Sequence, residues 1–508
     1  MALHPSHLEQ RLAATPRVLR WVVSLGLGAV VALAHEPGLG AWPVLVGFTL
    51  ACLILPLAPR AAALHGWLLG VGYFAVTLRW IIEPFLVDVA RHGWMAPFAL
   101  ILLAGGLALF WGLAGWAVRG LSRGRATGIL WFALSLGAVE LLRGHIFTGF
   151  PWGLPAYALV GGVFDVWLAW VGPYGLTVLT LGLAGVTALA LHRGWTLIWP
   201  SLVAVYFATV GLQAITPGAP APTDTVVRVI QPNAAQHLKW DRDWMGVFYD
   251  RALSLTEAGE AADVVVWPET SVPTLLQYAG PLFEDMARAA RGAPVLAGIN
   301  RQQNGAFYNA AVVLDGAEVA DIYDKVHLVP FGEYIPFAAL LRPLGLGVLV
   351  DQVAGFSPGT GSGLMDIDGL GRARVLICYE GIFPEEIAVD GPRPDVVVII
   401  TNDAWFGPGA GPRQHLVQAQ ARAIEQGLPV IRSANTGISA VIDARGRIKA
   451  QLPLNEAGFV DAAVPATLPP TLYARMGDWP LTVALLATLG IGLARRRRFD
   501  VDGPAPRA

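Results

Sequence analysis

Eight apolar stretches punctuate this chain, and one long polar block separates the seventh from the eighth. They cover residues 18–34, 41–57, 61–81, 95–118, 126–142, 166–191, 195–212 and 479–494. Each approaches the roughly 20 apolar residues a helix needs to cross a bilayer. Between Pro217 and Asp478 the pattern changes to short β-branched runs, at 226–230, 264–266, 295–299, 310–314, 375–378, 396–401 and 430–433. Helical patterns at 243–255, 280–290 and 414–426 alternate with them, which predicts a layered α/β domain. The unbroken apolar run 396–400 predicts a strand covered on both faces.

The first apolar stretch has a rival reading as a cleaved signal peptide, because Ala32-Leu33-Ala34 resembles a small-residue cleavage site. Six further spans and a long basic leader favour a retained anchor. The expected divisions are a cytoplasmic leader (1–17), a seven-span membrane domain (18–213), an α/β domain (214–478), an eighth span (479–495) and a cytoplasmic basic tail (496–508). Arginine placement sets the orientation. Arg11, Arg17, Arg20, Arg60, Arg119, Arg123, Arg125, Arg193 and Arg495–Arg498 fall on one side, against Arg79, Arg91 and Arg143 in the opposite short loops. Both ends are therefore expected in the cytoplasm, with the polar block outside it.

Composition narrows the class. The 508 residues are 55% hydrophobic and 14% charged, which excludes a plain soluble protein. A net charge of −2 carries no nucleic-acid footprint. Lysine occurs only at Lys239, Lys325 and Lys449, so each retained lysine stands out against an arginine background. At the end of the fifth span, Glu140, Arg143 and His145 precede Gly149-Phe150-Pro151-Trp152. Charge at membrane depth is costly, so Glu140 and Arg143 either serve function or pair to tie helices together.

Cys378 carries the chemical signal. Only one other cysteine, Cys52, is present, and it lies in the second apolar stretch. An exported domain with one unpaired thiol suggests a thiol kept for chemistry, although free cysteine is also a common core residue. Two further strand ends carry ionisable groups: Trp267-Pro268-Glu269 delivers Glu269, and Tyr323-Asp324-Lys325 delivers Lys325 with Glu333 later in the same loop. A carboxylate can take the thiol proton, and an ammonium favours the thiolate and an oxyanion. Glu, Lys and Cys therefore suffice for acyl transfer through a thioester. Each residue alone has a plainer explanation, as helix-start charge, surface ion-pair partner or core packing.

Taken together, the Trp-Pro-Glu, Asp-Lys-Val-His-Leu-Val-Pro-Phe-Gly-Glu and Cys-Tyr-Glu segments resemble the Glu-Lys-Cys triad of the nitrilase superfamily. With seven preceding spans and one following, residues 18–495 resemble its membrane-integrated branch, the apolipoprotein N-acyltransferases. The resemblance implies a transmembrane helical bundle of about eight spans joined to an extracytoplasmic αββα sandwich. It also implies Glu269 as general base, Lys325 as support for the tetrahedral intermediate and Cys378 as acylated nucleophile. Glu333, Tyr379 and Glu380 match further active-site positions. Trp240 matches a segment near the lipid entrance, and Asn402 and Trp405 lie in a loop resembling the family's at the next strand end.

The implied reaction moves an acyl chain from a membrane phospholipid, phosphatidylethanolamine by analogy, to the α-amine of a diacylglyceryl-cysteine on an apolipoprotein. No metal or nucleotide cofactor is expected, and a monomer is the default. Two apolar stretches, 337–341 and 344–350, read as an arm that dips into the membrane interface or as ordinary core packing. Two rival functions share parts of this pattern: a tethered C–N hydrolase, and a non-catalytic transporter or scaffold. The first leaves eight spans without purpose, and the second lacks a repeat or broken-helix signature.

Overall fold

The computed structural model describes residues 15–36, 38–193, 198–336, 338, 343, 355–388 and 391–501. It divides into two compact units, Met1–Thr216 with Arg475–Ala508, and Pro217–Ala474. The expected arm at 337–341 and 344–350 lies outside the described residues, apart from Ala338.

Every apolar stretch carries a helix in the first unit, but the helices differ in reach. Arg17–His35, Val89–Leu121, Arg125–His145 and Asp165–Arg193 are long and apolar enough to cross a membrane. Pro59–Thr77, bent by 47° against Arg79–Leu86, makes a fifth if the pair is one broken span. Trp42–Ile54, Trp199–Ile215 and Trp479–Ala494 are apolar but shorter. At 1.5 Å per residue, the 13-residue helix Trp42–Ile54 reaches about 20 Å, short of the ~30 Å hydrocarbon core. Its end is set by Pro56, which pushes Leu55 out of the α region to φ −52°, ψ 122°. Among the described residues, four or five spans thus meet the length criterion where the hydropathy pattern predicts eight.

Small residues let these helices touch backbone to backbone. A Cβ on Gly28 would stand 1.9 Å from the Leu69 carbonyl oxygen, and one on Gly115 2.1 Å from that of Ala62. The Glu140–Arg143 pair is fully buried and makes a bundle-tying network. Arg143 donates to both Glu140 oxygens (Nε 3.1 Å, Nη2 2.6 Å) and to the carbonyls of Phe150 and Trp152. Trp111 Nε1, from the helix Ala96–Leu121, donates to Glu140 Oε1 at 2.7 Å. His145 instead bonds the Leu141 carbonyl of its own helix.

The second unit is built on two six-stranded sheets. One orders its strands β12-β1-β2-β3-β4-β5 and the other β11-β10-β9-β8-β7-β6. The strands are β1 (Pro222–Gln231), β2 (Val264–Val266), β3 (Val295–Gln303), β4 (Ala306–Asp315), β5 (Glu318–Asp324), β6 (Leu364–Ile367), β7 (Gly371–Ile377), β8 (Val396–Thr401), β9 (Val430–Ala434), β10 (Ala440–Ile442), β11 (Ile448–Gln451) and β12 (Gly458–Pro465). Alternation decides the layers. Val227, Val229, Val264 and Val266 of the first sheet share a core with Val375, Ile377, Val398 and Ile400 of the second. The opposite faces receive helices: Met245–Glu257 and Gly280–Ala289 cover Val265, Ala297 and Val312, while Ala410–Gln426 covers Leu376, Val397 and Ile399. The result is an αββα sandwich. β8 is buried along its whole length and pairs in parallel with β7 and β9, as its apolar run predicts.

Candidate active site

Three strand ends and one loop supply the charged groups. β2 is followed by Trp267-Pro268, and proline cannot continue the ladder, so Glu269 stands just past the strand. Its carboxylate is buried and held at both oxygens. Asn309 Nδ2, from β4, donates to Oε1 at 2.7 Å, and the backbone N–H of Asn402, just past β8, donates to Oε2 at 2.8 Å. Lys325 follows β5 directly, and its N–H bonds the Asn309 carbonyl at 2.8 Å. Its ammonium is 1% exposed, 3.0 Å from Glu333 Oε1 and 3.9 Å from Glu269 Oε1. Glu333 also accepts from Asn309 Nδ2 at 3.2 Å and from the Val329 N–H at 2.7 Å. One lysine and one asparagine thus bridge the buried Glu269 carboxylate and the half-buried Glu333 carboxylate.

Cys378 caps β7 and is 7% exposed, with φ at +53°. A non-glycine residue in that region is strained, and such strain gathers at functional sites. Burial is the largest influence on its thiol and pushes its pKa up; the Glu269 charge adds to this, while Lys325 and the Thr401 hydroxyl oppose it. The resting sulfur is therefore a thiol. Burial alone would lower the Lys325 pKa, but Glu333 and Glu269 outweigh it and raise it, so the ammonium stays charged.

Glu380 ties two of these strand ends together. Its Oε1 accepts from Tyr323 Oη (2.7 Å) and from the backbone N–H groups of Val326 (2.7 Å) and His327 (3.1 Å). Its Oε2 accepts from the Ile377 N–H at 2.7 Å. Burial, then the Glu386 charge, raises its pKa against these donors. Tyr379 packs edge-on against His327 and Phe383, and His327 stacks on Phe383 with centroids 4.0 Å apart and bonds Glu386.

The tentative substrate residues divide. Asn402 serves Glu269 through its backbone, and its side chain is engaged by Gln236 and Asn435, both at 2.8 Å. Trp405 and Trp240 are 40% and 48% exposed, and Trp240 lines a cleft with Lys239, Met245, Phe248 and Thr270. Sequence reasoning missed Asn309, whose only signal is a polar side chain before an apolar strand run. It also left Lys239 without a role. Asp403, fully buried behind Thr401, accepts from the Thr401 hydroxyl (3.0 Å), His415 Nδ1 (3.0 Å) and Arg432 Nη2 (2.5 Å). Among the described residues no cluster of His, Cys, Asp and Glu could hold a metal ion.

A sandwich with a thiol, two carboxylates and an ammonium at its strand ends defines a carbon-nitrogen hydrolase fold, and residues 227–471 match the Carbon-nitrogen hydrolase family. Residues 27–186 match the Apolipoprotein N-acyltransferase N-terminal domain. Apolipoprotein N-acyltransferases from Caulobacter vibrioides and Rhodopseudomonas palustris are 39% and 35% identical to this chain, covering 94% of it and 94% and 95% of their own lengths. That of Brucella melitensis is 38% identical over 86% of this chain and 87% of its own. A CN-hydrolase superfamily protein of Xanthomonas campestris aligns with 56% of this chain and 99% of its own at 18% identity, with a TM-score of 0.35. The chain belongs to the apolipoprotein N-acyltransferase family.

Proposed function

We propose that this protein N-acylates apolipoproteins in two half-reactions through a thioester on Cys378. In the first, Glu269 takes the thiol proton and the thiolate attacks an ester carbonyl of a phospholipid, with phosphatidylethanolamine as the expected donor. The Lys325 ammonium balances the oxyanion of the tetrahedral intermediate. Collapse breaks the ester C–O bond, the leaving lysophospholipid oxygen takes the proton from Glu269, and the thioester remains. In the second, the free α-amine of a diacylglyceryl-cysteine attacks the thioester and yields its proton to Glu269. The C–S bond breaks, and the departing thiolate recovers that proton.

The observation carrying this reading is the Lys325 ammonium between Glu269 and Glu333, electrostatically coupled to a thiol that burial keeps protonated. Such a thiol needs a base, and Glu269 is the carboxylate that acts most strongly on it. Lipid substrates at both steps agree with a chain rich in membrane-length helices. We further propose eight crossings, with the short helices completing the set, in a bacterial cytoplasmic membrane. The α/β unit then lies on the periplasmic side with both termini cytoplasmic, and the enzyme acts as a monomer.

Intact mass after incubation with phosphatidylethanolamine, without amine acceptor, tests the first half-reaction. A gain of one acyl group is expected, released by hydroxylamine, absent from Cys378→Ser, and discharged by a diacylated lipopeptide. Absence of the adduct from lipid-supplied wild type refutes the mechanism.

A further inference from the structure

Lys239 is a buried cation that the reaction above does not use. Its ammonium donates to the Glu269 carbonyl oxygen at 3.0 Å and to Thr270 Oγ1 at 2.8 Å, both neutral acceptors. Burial lowers its pKa to about 8, against the nearby Glu269 charge. The two acceptors belong to adjacent residues of one turn, and that turn is strained: Thr270 has φ at +47°, a region that β-branched side chains avoid. From the other side the same turn presses on β3, where a Cβ on Gly298 would stand 2.4 Å from Thr270 N and 2.6 Å from Glu269 Cα. The Gly298 N–H bonds the Pro268 carbonyl at 3.2 Å. The turn that presents Glu269 is therefore gripped between a strand backbone and one lysine side chain.

We propose that Lys239 is a positioning residue that holds the strained Glu269–Thr270 turn, keeping the Glu269 carboxylate in register with Asn309, Asn402 and Lys325. The proposal rests on Glu269 acting as the base. Lysine suits the task because a compact ammonium on a flexible stem reaches two neutral oxygens in a tight space, which a planar guanidinium does not. Released from this grip, the turn relaxes toward an ordinary backbone conformation and carries the carboxylate with it. Displacement of a catalytic group by about 1 Å costs up to roughly a hundredfold in rate.

The test follows the initial rate of Cys378 acylation in the full-length protein in detergent, with phosphatidylethanolamine varied as donor. Lys239→Met is expected to lower the maximal rate at least roughly tenfold with the half-saturating donor concentration unchanged. Thr270→Val keeps the branched shape but removes one acceptor, and is expected to lose a few-fold. Glycine tolerates positive φ, so in a Thr270→Gly background the turn no longer needs gripping, and the Lys239→Met loss should shrink to within about threefold. A loss confined to half-saturation would mean that Lys239 holds the donor, and it overturns the proposal. An equal loss in the glycine background overturns it too. If Lys239→Met does not fold, an unchanged rate in Thr270→Val is decisive against it. Wild type that takes up no acyl group refutes both this role and the reaction, whereas wild-type uptake with indifferent variants refutes Lys239 alone.

Discussion

Replacing Glu380 with glutamine changes one oxygen to an amide nitrogen in a fully buried site that receives four donors. The best arrangement leaves the amide oxygen facing Tyr323, Val326 and His327. The NH2 group then meets the Ile377 N–H, donor against donor, and an unsatisfied buried N–H costs about 1–3 kcal/mol. Three bonds to a charged acceptor become bonds to a neutral one, a loss of about 1 kcal/mol each. Against this, the carboxylate already bears a desolvation penalty, visible in its raised pKa, which the neutral amide escapes. A net destabilisation of roughly 2–4 kcal/mol is expected. The backbone it frees lies immediately after Lys325 and immediately before Cys378, so both groups lose their anchor together. Cys378 acylation should fall roughly a hundredfold. Hydrogen exchange read by mass spectrometry should show faster exchange at amides 326, 327 and 377, with acylation followed by intact mass. Unchanged exchange at those amides together with a rate within twofold of wild type would refute this account of Glu380.

Two further outcomes follow from the same geometry. Gly298→Ala introduces a Cβ that meets backbone atoms of Pro268, Glu269 and Thr270 within 2.7 Å, so the turn must move; overpacking of about 1–3 kcal/mol and a large loss of acylation are expected, and thermal unfolding beside the acylation rate reads both. Burial alone would raise the Asp403 pKa, but Arg432, then His415, hold it below the usual carboxylate range. A depressed pKa contributes stability above the unfolded value of about 4 and loses it as pH falls through that value toward the folded one. Asp403→Asn should therefore be less stable than wild type at pH 7, by about 3–5 kcal/mol for the stranded Arg432, with the difference narrowing below about pH 4. Unfolding curves across pH 3–7 that keep a constant difference would contradict this assignment.

Hydrophobic pattern alone determined the division into apolar helices and a strand-rich block, because periodicity and length are local properties of the chain. Seven β-branched runs correspond to β1–β4 and β7–β9. β5 and β11 escaped because their exposed faces mix charge with alternation, and β6, β10 and β12 were likewise not read from the pattern. Pairing of β1 with β12 joins segments more than two hundred residues apart, which no local pattern encodes. Span number is likewise not settled by pattern alone: hydropathy reports apolar length, whereas Pro56 and the bend after Thr77 decide how far each helix reaches. Glu269, Lys325 and Cys378 were legible because each is an ionisable residue at a strand end, where the fold must present it. Their supports were not. Asn309 lies 40 residues from Glu269, Asn402 133 residues away, and Glu380 53–57 residues from the donors it gathers around Lys325. Hydrogen-bond reach is about 3 Å, and only the folding of two sheets together brings such distant donors within it.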